Sequence, residues 1–160
     1  MLAVRPFQSG DEGALTEVLN AIIAAGGTTA YEDPFTTERL RAYHLDGPGV
    51  LMCHVALWDG VPVGFQVVNA NPVLPTGWGD MASFTRRTPK VPGAGRALFA
   101  ATRARARALG LVALNATIRA DNVPGLGYYS AMGFEDYAVI PAVALKDGTP
   151  VDRVRKRLIP

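Results

Sequence analysis

At 160 residues and 17.0 kDa, with 49% hydrophobic and 19% charged residues, the chain has the size and composition of one folded domain around a single core. A disordered chain, a bilayer-spanning protein and a disulfide scaffold are excluded, because no apolar run nears the roughly 20 residues a bilayer needs and Cys53 is the only cysteine. No secretory leader is expected, His44 and His54 leave little material for a metal site, and the expected setting is soluble and cytoplasmic with no membrane partner. The net charge of +2 is unevenly spread: residues 1–80 carry three basic and nine acidic side chains, residues 81–160 thirteen and five. A basic half of this kind calls for an anionic ligand. It lacks interleaved aromatics, helix-turn-helix spacing and zinc-finger spacing, so no nucleic-acid partner is expected.

In chain order, Ala3–Phe7 reads as a first strand. Asp11 stands where a cap would start a helix to about Ala25, with Leu15, Val18, Leu19, Ile22 and Ile23 forming its apolar stripe. Gly26-Gly27 ends it, and Thr28–Asp33 is a polar and aromatic loop. Pro34 with Thr36 or Thr37 opens a second, shorter helix to about Leu45. Val50–Trp58 and Val61–Ala70 are β-branched, apolar runs joined by Asp59-Gly60, a hairpin signal. Asn71–Gly79 reads as a loop and Met81–Thr85 as a fourth strand. A helix follows from Gly93 to Leu109, then a strand over Leu111–Ile118. Asn122 can cap a short helix to Met132, and strands over Phe134–Leu145 and Val151–Ile159 close the order. The expected fold class is α+β: a mixed, mostly antiparallel sheet of about seven strands flanked by about four helices in a single domain spanning 1–160.

The stretch that carries chemistry is Lys90-Val91-Pro92-Gly93-Ala94-Gly95-Arg96, between a strand and a helix. Alternating glycines let a backbone approach a ligand closely, and the helix start adds free N–H groups and its positive dipole end. This is the make-up of a pyrophosphate cradle, ringed by Arg86, Arg87, Lys90 and Arg96. A P-loop would end in Gly-Lys-Ser/Thr, and a dinucleotide fingerprint would place a glycine at Leu98; neither is present. The plain alternative is a pair of glycines that only lets a strand and a helix pack tightly.

A second signal is Asn122, followed by Tyr129 and by Gly133-Phe134. With both motifs in place, the chain resembles the GCN5-related N-acetyltransferase (GNAT) superfamily over nearly its whole length. That family's Gln/Arg-x-x-Gly-x-Gly/Ala motif is matched by Lys90–Gly95 with a lysine first, and its Asn, Tyr, Gly-Phe motif by Asn122, Tyr129 and Gly133-Phe134. The resemblance implies the fold above and an acetyl-CoA-dependent N-acetyltransferase without a metal. It implies that main-chain groups of Ser83, Phe84 and Thr85 pair with the pantetheine arm. It also implies that Lys90, Val91, Gly93, Ala94, Gly95 and Arg96 hold the pyrophosphate, that Asn122 bonds the arm, and that Tyr129 lies near the thioester sulfur. Pro92 offers no amide hydrogen, Thr85 stands where the family usually has valine, and Gly125 and Gly127 weaken the helix before Tyr129. Asn20, Thr28-Thr29-Ala30, Glu32, Pro34 and Thr36 loosely resemble the phosphinothricin and methionine-sulfoximine acetyltransferase branch, which implies a small, amino-acid-like amine as acceptor.

Acetyl transfer to an amine needs a neutral amine, a stabilised oxyanion and a leaving thiolate. A sheet splayed between the fourth and fifth strands would offer backbone donors to the oxyanion. Tyr129 is the candidate acid for the thiolate; Tyr128 beside it reads as packing. Asp80 is the first choice of general base and Glu32 the second, each with solvated carboxylate as its plain alternative. Cys53 and His54 alternate across a strand and read as a core residue and a hydrogen-bonded sheet residue. Arg103 and Arg107 share a helix face with Arg96, either in solvent or near a cofactor phosphate. A protein amine as acceptor, or an acyl-CoA-binding module without turnover, are the competing functions. The C-terminal strands could pair two copies into a dimer.

Overall fold

The structure is a computed structural model that describes residues 1–160. The elements are β1 (Leu2–Pro6), α1 (Glu12–Ala25), α2 (Thr37–Leu40), β2 (Val50–Trp58), β3 (Val61–Asn69), β4 (Trp78–Thr85), α3 (Ala94–Ala108), β5 (Ala113–Arg119), α4 (Val123–Ala131), β6 (Glu135–Ala144) and β7 (Pro150–Leu158). They build one seven-stranded sheet in the order β1-β2-β3-β4-β5-β7-β6. Every pair is antiparallel except β4 with β5, which run parallel. The mixed, mostly antiparallel sheet with four helices is the fold that the sequence leads one to expect.

The β2–β3 hairpin turns at Asp59 (φ 48°) and Gly60 (φ 81°), the positive-φ pair its sequence calls for. One face of the sheet carries Val55, Phe65, Val67 and Phe84 and buries them against Leu15, Leu19 and Ile22 of α1 and Leu40 of α2. The other face buries Met81, Leu114 and Ile118 against Phe99 and Ala106 of α3 and Tyr129 of α4. Each Val, Leu, Ile, Phe or Met sealed this way contributes about 1.5–3 kcal/mol relative to exposure, so the two helix layers clamp the sheet between them.

Several local expectations need correction. Asp11 does not cap α1; its carboxylate turns to Arg5, at 2.7 and 2.9 Å, and to the Gln8 amide at 3.1 Å. The second helix is not uniform to Leu45: after a single α turn capped by Thr36, the chain widens into a π turn over Arg41–Leu45 that carries His44 inward. β4 begins at Trp78, not Met81, because Trp78, Gly79 and Asp80 pair with Ala113, Leu114 and Asn115. A side chain at Gly79 would collide with Val68 at 2.3 Å, so glycine is what lets β4 lie flat there. Despite Gly125 and Gly127, α4 forms, with Asn122 accepting the Gly125 N–H at 3.0 Å.

Candidate active site

The site is a fork in the sheet. β4 and β5 pair only from Trp78 to Asp80 and from Ala113 to Asn115, and then part. Past the fork, residues 81–85 pair with β3 on one side only. The opening is a cleft of about 830 Å³, lined from one end to the other by both halves of the chain. This is a volume typical of small-molecule sites.

At one end lies the basic loop. Gly93 caps α3 in the left-handed conformation at φ 81°. The Ala94 N–H is used by Val91 O, whereas the Gly95 and Arg96 N–H groups have no acceptor in the chain and open the helix as free donors. A Cβ at Gly95 would come within 2.8 Å of the Tyr128 ring, so the loop requires glycine there. Arg86, Arg87, Lys90, Val91, Gly93, Gly95 and Arg96 all line this end; Ala94 is turned into the core with Leu98 and Ala56. Two free amides, a helix dipole and four cations suit an anionic diphosphate.

Midway, Ser83, Tyr128 and Tyr129 meet on the α3–α4 face. Ser83 Oγ lies 3.1 Å from the Tyr129 hydroxyl, and Gln66 Nε2 donates to Ser83 Oγ at 2.8 Å and to the Tyr128 hydroxyl at 2.9 Å. Tyr128 in turn donates to Gly95 O at 2.8 Å. Tyr128 is therefore more than packing: it ties α4 to the glycine loop. Burial raises the Tyr129 hydroxyl well above its ordinary range, so the phenol keeps its proton at any physiological pH.

On the opposite face, Asp80 accepts from Asn115 Nδ2 at 2.9 Å and from Asn71 Nδ2 at 3.1 Å. Asn69, its cross-strand partner, donates to Tyr43 O at 3.1 Å and to His44 Nδ1 at 3.2 Å. Because a carbonyl can only accept, the Asn69 amino group must face this way, which leaves Nδ1 of His44 as an acceptor and its Nε2–H donating to the Tyr31 hydroxyl at 2.6 Å. Burial lowers the His44 pKa to about 4, although the Asp80 charge works to raise it, so the ring is neutral. Tyr31, His44, Asn69 and Asp80 together line this second end.

A family description, the acetyltransferase (GNAT) family, matches residues 17–134, most of the chain and all of the fork. The chain belongs to the GNAT family. No curated protein matches this GNAT chain in sequence. Among solved structures, the Salmonella typhimurium protein yncA, solved with its cofactor acetyl-CoA, superposes with a TM-score of 0.84 at 21% identity, covering 99% of this chain and 93% of its own. A GCN5-related N-acetyltransferase from Kribbella flavida gives 0.84 at 23%, covering 99% and 98%. A phosphinothricin acetyltransferase from Sinorhizobium meliloti, in complex with AcCoA, gives 0.84 at 21%, covering 99% and 88%.

Within this GNAT fold, Ser83, Phe84, Thr85, Asp80, Tyr129 and Asn122 all line the cleft. Glu32 lies outside the cleft lining. Its carboxylate accepts the Lys146 N–H at 2.9 Å and lines a separate cavity of about 370 Å³ that borders the cleft only at Ala30 and Tyr31. Asn122 lines the cleft with both ends of its amide in use, Oδ1 on Gly125 and Nδ2 on Thr28 O at 2.8 Å. Its amide holds a helix start to a loop. Cys53 is core, with its thiol pKa pushed up to about 12 by burial. His54 is a buried sheet residue, but its Nδ1 has no hydrogen-bond partner. Gln66, His44 and Asn69 are not legible as site residues in the sequence. The lone glutamine inside the apolar run of β3 is the available signal for the first.

Proposed function

We propose that this GNAT chain transfers the acetyl group of acetyl-CoA to the primary amine of a small, amino-acid-like molecule by direct attack. The observation that carries the reading is the fork itself: free amides and cations at one end, a carboxylate at the other, and a protonated tyrosine between them. Acetyl-CoA supplies the acetyl group as an activated thioester. The Gly95 and Arg96 amides and the surrounding cations bind its diphosphate, and the unpaired edge of residues 83–85 receives its arm as a further strand. Asp80 attracts the acceptor's ammonium and takes a proton from it, directly or through water. The same unpaired edge presents backbone N–H groups to the developing oxyanion. Tyr129 donates a hydrogen bond to the departing sulfur. Tyr31, held by His44, closes the acceptor end around a small molecule.

A cytoplasmic setting belongs to the same reading, since a single buried thiol and no disulfide suits a reducing compartment. No helix is long and apolar enough to cross a membrane. Pairing of a second copy along the free edge of β6 is part of the proposal too, and sedimentation would read it.

The test is calorimetric titration with acetyl-CoA at two salt concentrations, with NAD and ATP as controls, followed by a panel of amines and amino acids with thiol-release detection. Selective acetyl-CoA binding that weakens with salt, and turnover confined to small amines, is the expected result. Binding without turnover on any amine would favour a non-catalytic module, and turnover only on peptides a protein acceptor.

A further inference from the structure

Gln66 stands at the centre of β3, fully buried, directly across from Ser83 of β4. Its amide orientation follows from one carbonyl. Tyr128 has a single hydroxyl hydrogen, and Gly95 O at 2.8 Å can only accept, so that hydrogen goes to Gly95. The Tyr128 oxygen must then accept from Gln66, which turns the amino group of Gln66 toward both Tyr128 and Ser83. Ser83 Oγ therefore accepts from Gln66, and its own hydrogen is free for the Tyr129 oxygen 3.1 Å away. Where that hydrogen is given to Tyr129, the Tyr129 oxygen accepts and its own hydrogen is left to point into the cleft. The far side of the same amide bears the cost of this order: Gln66 Oε1 is buried without a partner. A buried acceptor is left unmatched while the two amide hydrogens serve Tyr128 and Ser83.

We infer that Gln66 is a positioning residue that sets the direction of the Gln66–Ser83–Tyr129 hydrogen-bond chain, so that Tyr129 faces the reacting sulfur as a donor. The chain starts at the Gly95 carbonyl, so the loop that binds the diphosphate and the hydroxyl that serves the sulfur share one hydrogen-bond order. The inference rests on the proposed role of Tyr129.

The experiment has a structural and a kinetic arm. Neutron diffraction from deuterium-exchanged crystals locates the hydroxyl deuterons directly. A deuteron on Ser83 Oγ aimed at Tyr129, with the Tyr129 deuteron aimed into the cleft, is expected; a Tyr129 deuteron aimed at Ser83 overturns the inference. In the kinetic arm, Gln66→Met and Ser83→Ala each lower kcat about tenfold with the KM for acetyl-CoA unchanged, a fraction of what an acid catalyst supplies. In a Tyr129→Phe background, neither change lowers kcat further. Ser83→Ala removes one half-buried hydroxyl and keeps the test readable if Gln66→Met fails to fold. Wild-type kcat in a folded Gln66→Met protein overturns the positioning role. If Tyr129→Phe itself retains full kcat while the deuterons lie as expected, the acid role of Tyr129 fails and the hydrogen-bond order stands.

Discussion

Asp80 and Asn115 are the last residues that β4 and β5 pair, and Asn115 Nδ2 donates to Asp80 Oδ1 at 2.9 Å across the apex of the fork. Asn115 is itself fixed, accepting from the Tyr137 hydroxyl and donating to Thr117 at 3.2 Å. The carboxylate at the apex is thus held in place by amides on both sides, Asn71 being the other. If it takes the acceptor's proton, Asp80→Asn lowers kcat/KM for the amine about 10²-fold and removes the acidic limb of the pH–rate profile, with acetyl-CoA affinity unchanged. An acidic limb that survives the substitution removes Asp80 from the role.

Tyr129→Phe deletes only the hydroxyl. The ring stays packed against Phe134 and Tyr128, with centroids 5.2 and 5.0 Å away, so stability changes little. Turnover falls by about 10²-fold, at the low end for a lost acid, while acetyl-CoA titrates as in the wild type. Undiminished turnover rejects the assignment.

Two glycines separate binding from folding. Gly95→Ala pushes a methyl against the Tyr128 ring, within 2.8 Å, and disturbs the bond from Tyr128 to Gly95 O. Acetyl-CoA affinity drops by about tenfold, the equivalent of ~1.4 kcal/mol, as calorimetry reads directly. Gly127→Ala meets nothing within 4 Å inside α4 and stabilises the helix by about 0.5–1 kcal/mol, seen as a raised midpoint in urea.

His44 makes the fold sensitive to acid. Its folded pKa of about 4 lies below the ordinary 6.5, so the unfolded chain binds the proton more readily. The stabilisation is complete above about pH 6.5, declines as pH falls through the interval down to about 4, and amounts to at most ~3 kcal/mol. His44→Phe, which keeps the packing against Phe35 and Phe84, shows a shallower loss of unfolding free energy over that interval. Parallel curves for the two proteins would contradict this.

Cys53 is inert in the native state. With its thiol pushed up to about 12 and buried among Val55 and Leu19, it reacts with a thiol reagent at pH 8 only after unfolding. Rapid labelling of the folded protein would show that β2 opens far more often than its burial implies.

What the sequence makes legible is local. Asp59-Gly60 specifies its hairpin, Gly93 and Gly95 specify the turn into α3, and the period of Leu15 to Ile23 specifies the face of α1, because each depends on neighbours a few residues away. The apex at Asp80 and Asn115 is invisible in the same sense, since it depends on parallel pairing of strands far apart in the chain, and Gly79 and Trp78 look like loop residues until that pairing forms. Asp11 misleads because Arg5 of β1 competes for its carboxylate. Tyr128 reads as packing and the role of Gln66 is not legible, because their partners come from α3 and β4. Glu32 belongs to a loop whose direction is set by the β6–β7 turn, at Lys146.

β7, the later strand of the last hairpin, lies inside the sheet, between β5 and β6. β1 through β4 can zip together as they leave the ribosome, each beside its predecessor. β5 must wait with a bare edge until Leu158 has been made, and Phe134 and Tyr129, which share a cluster with Leu158, wait with it. During synthesis the wall carrying Asn115 therefore lacks its β7 neighbour until the last strand has been made, and β5 keeps an open edge of the kind that pairs with other chains.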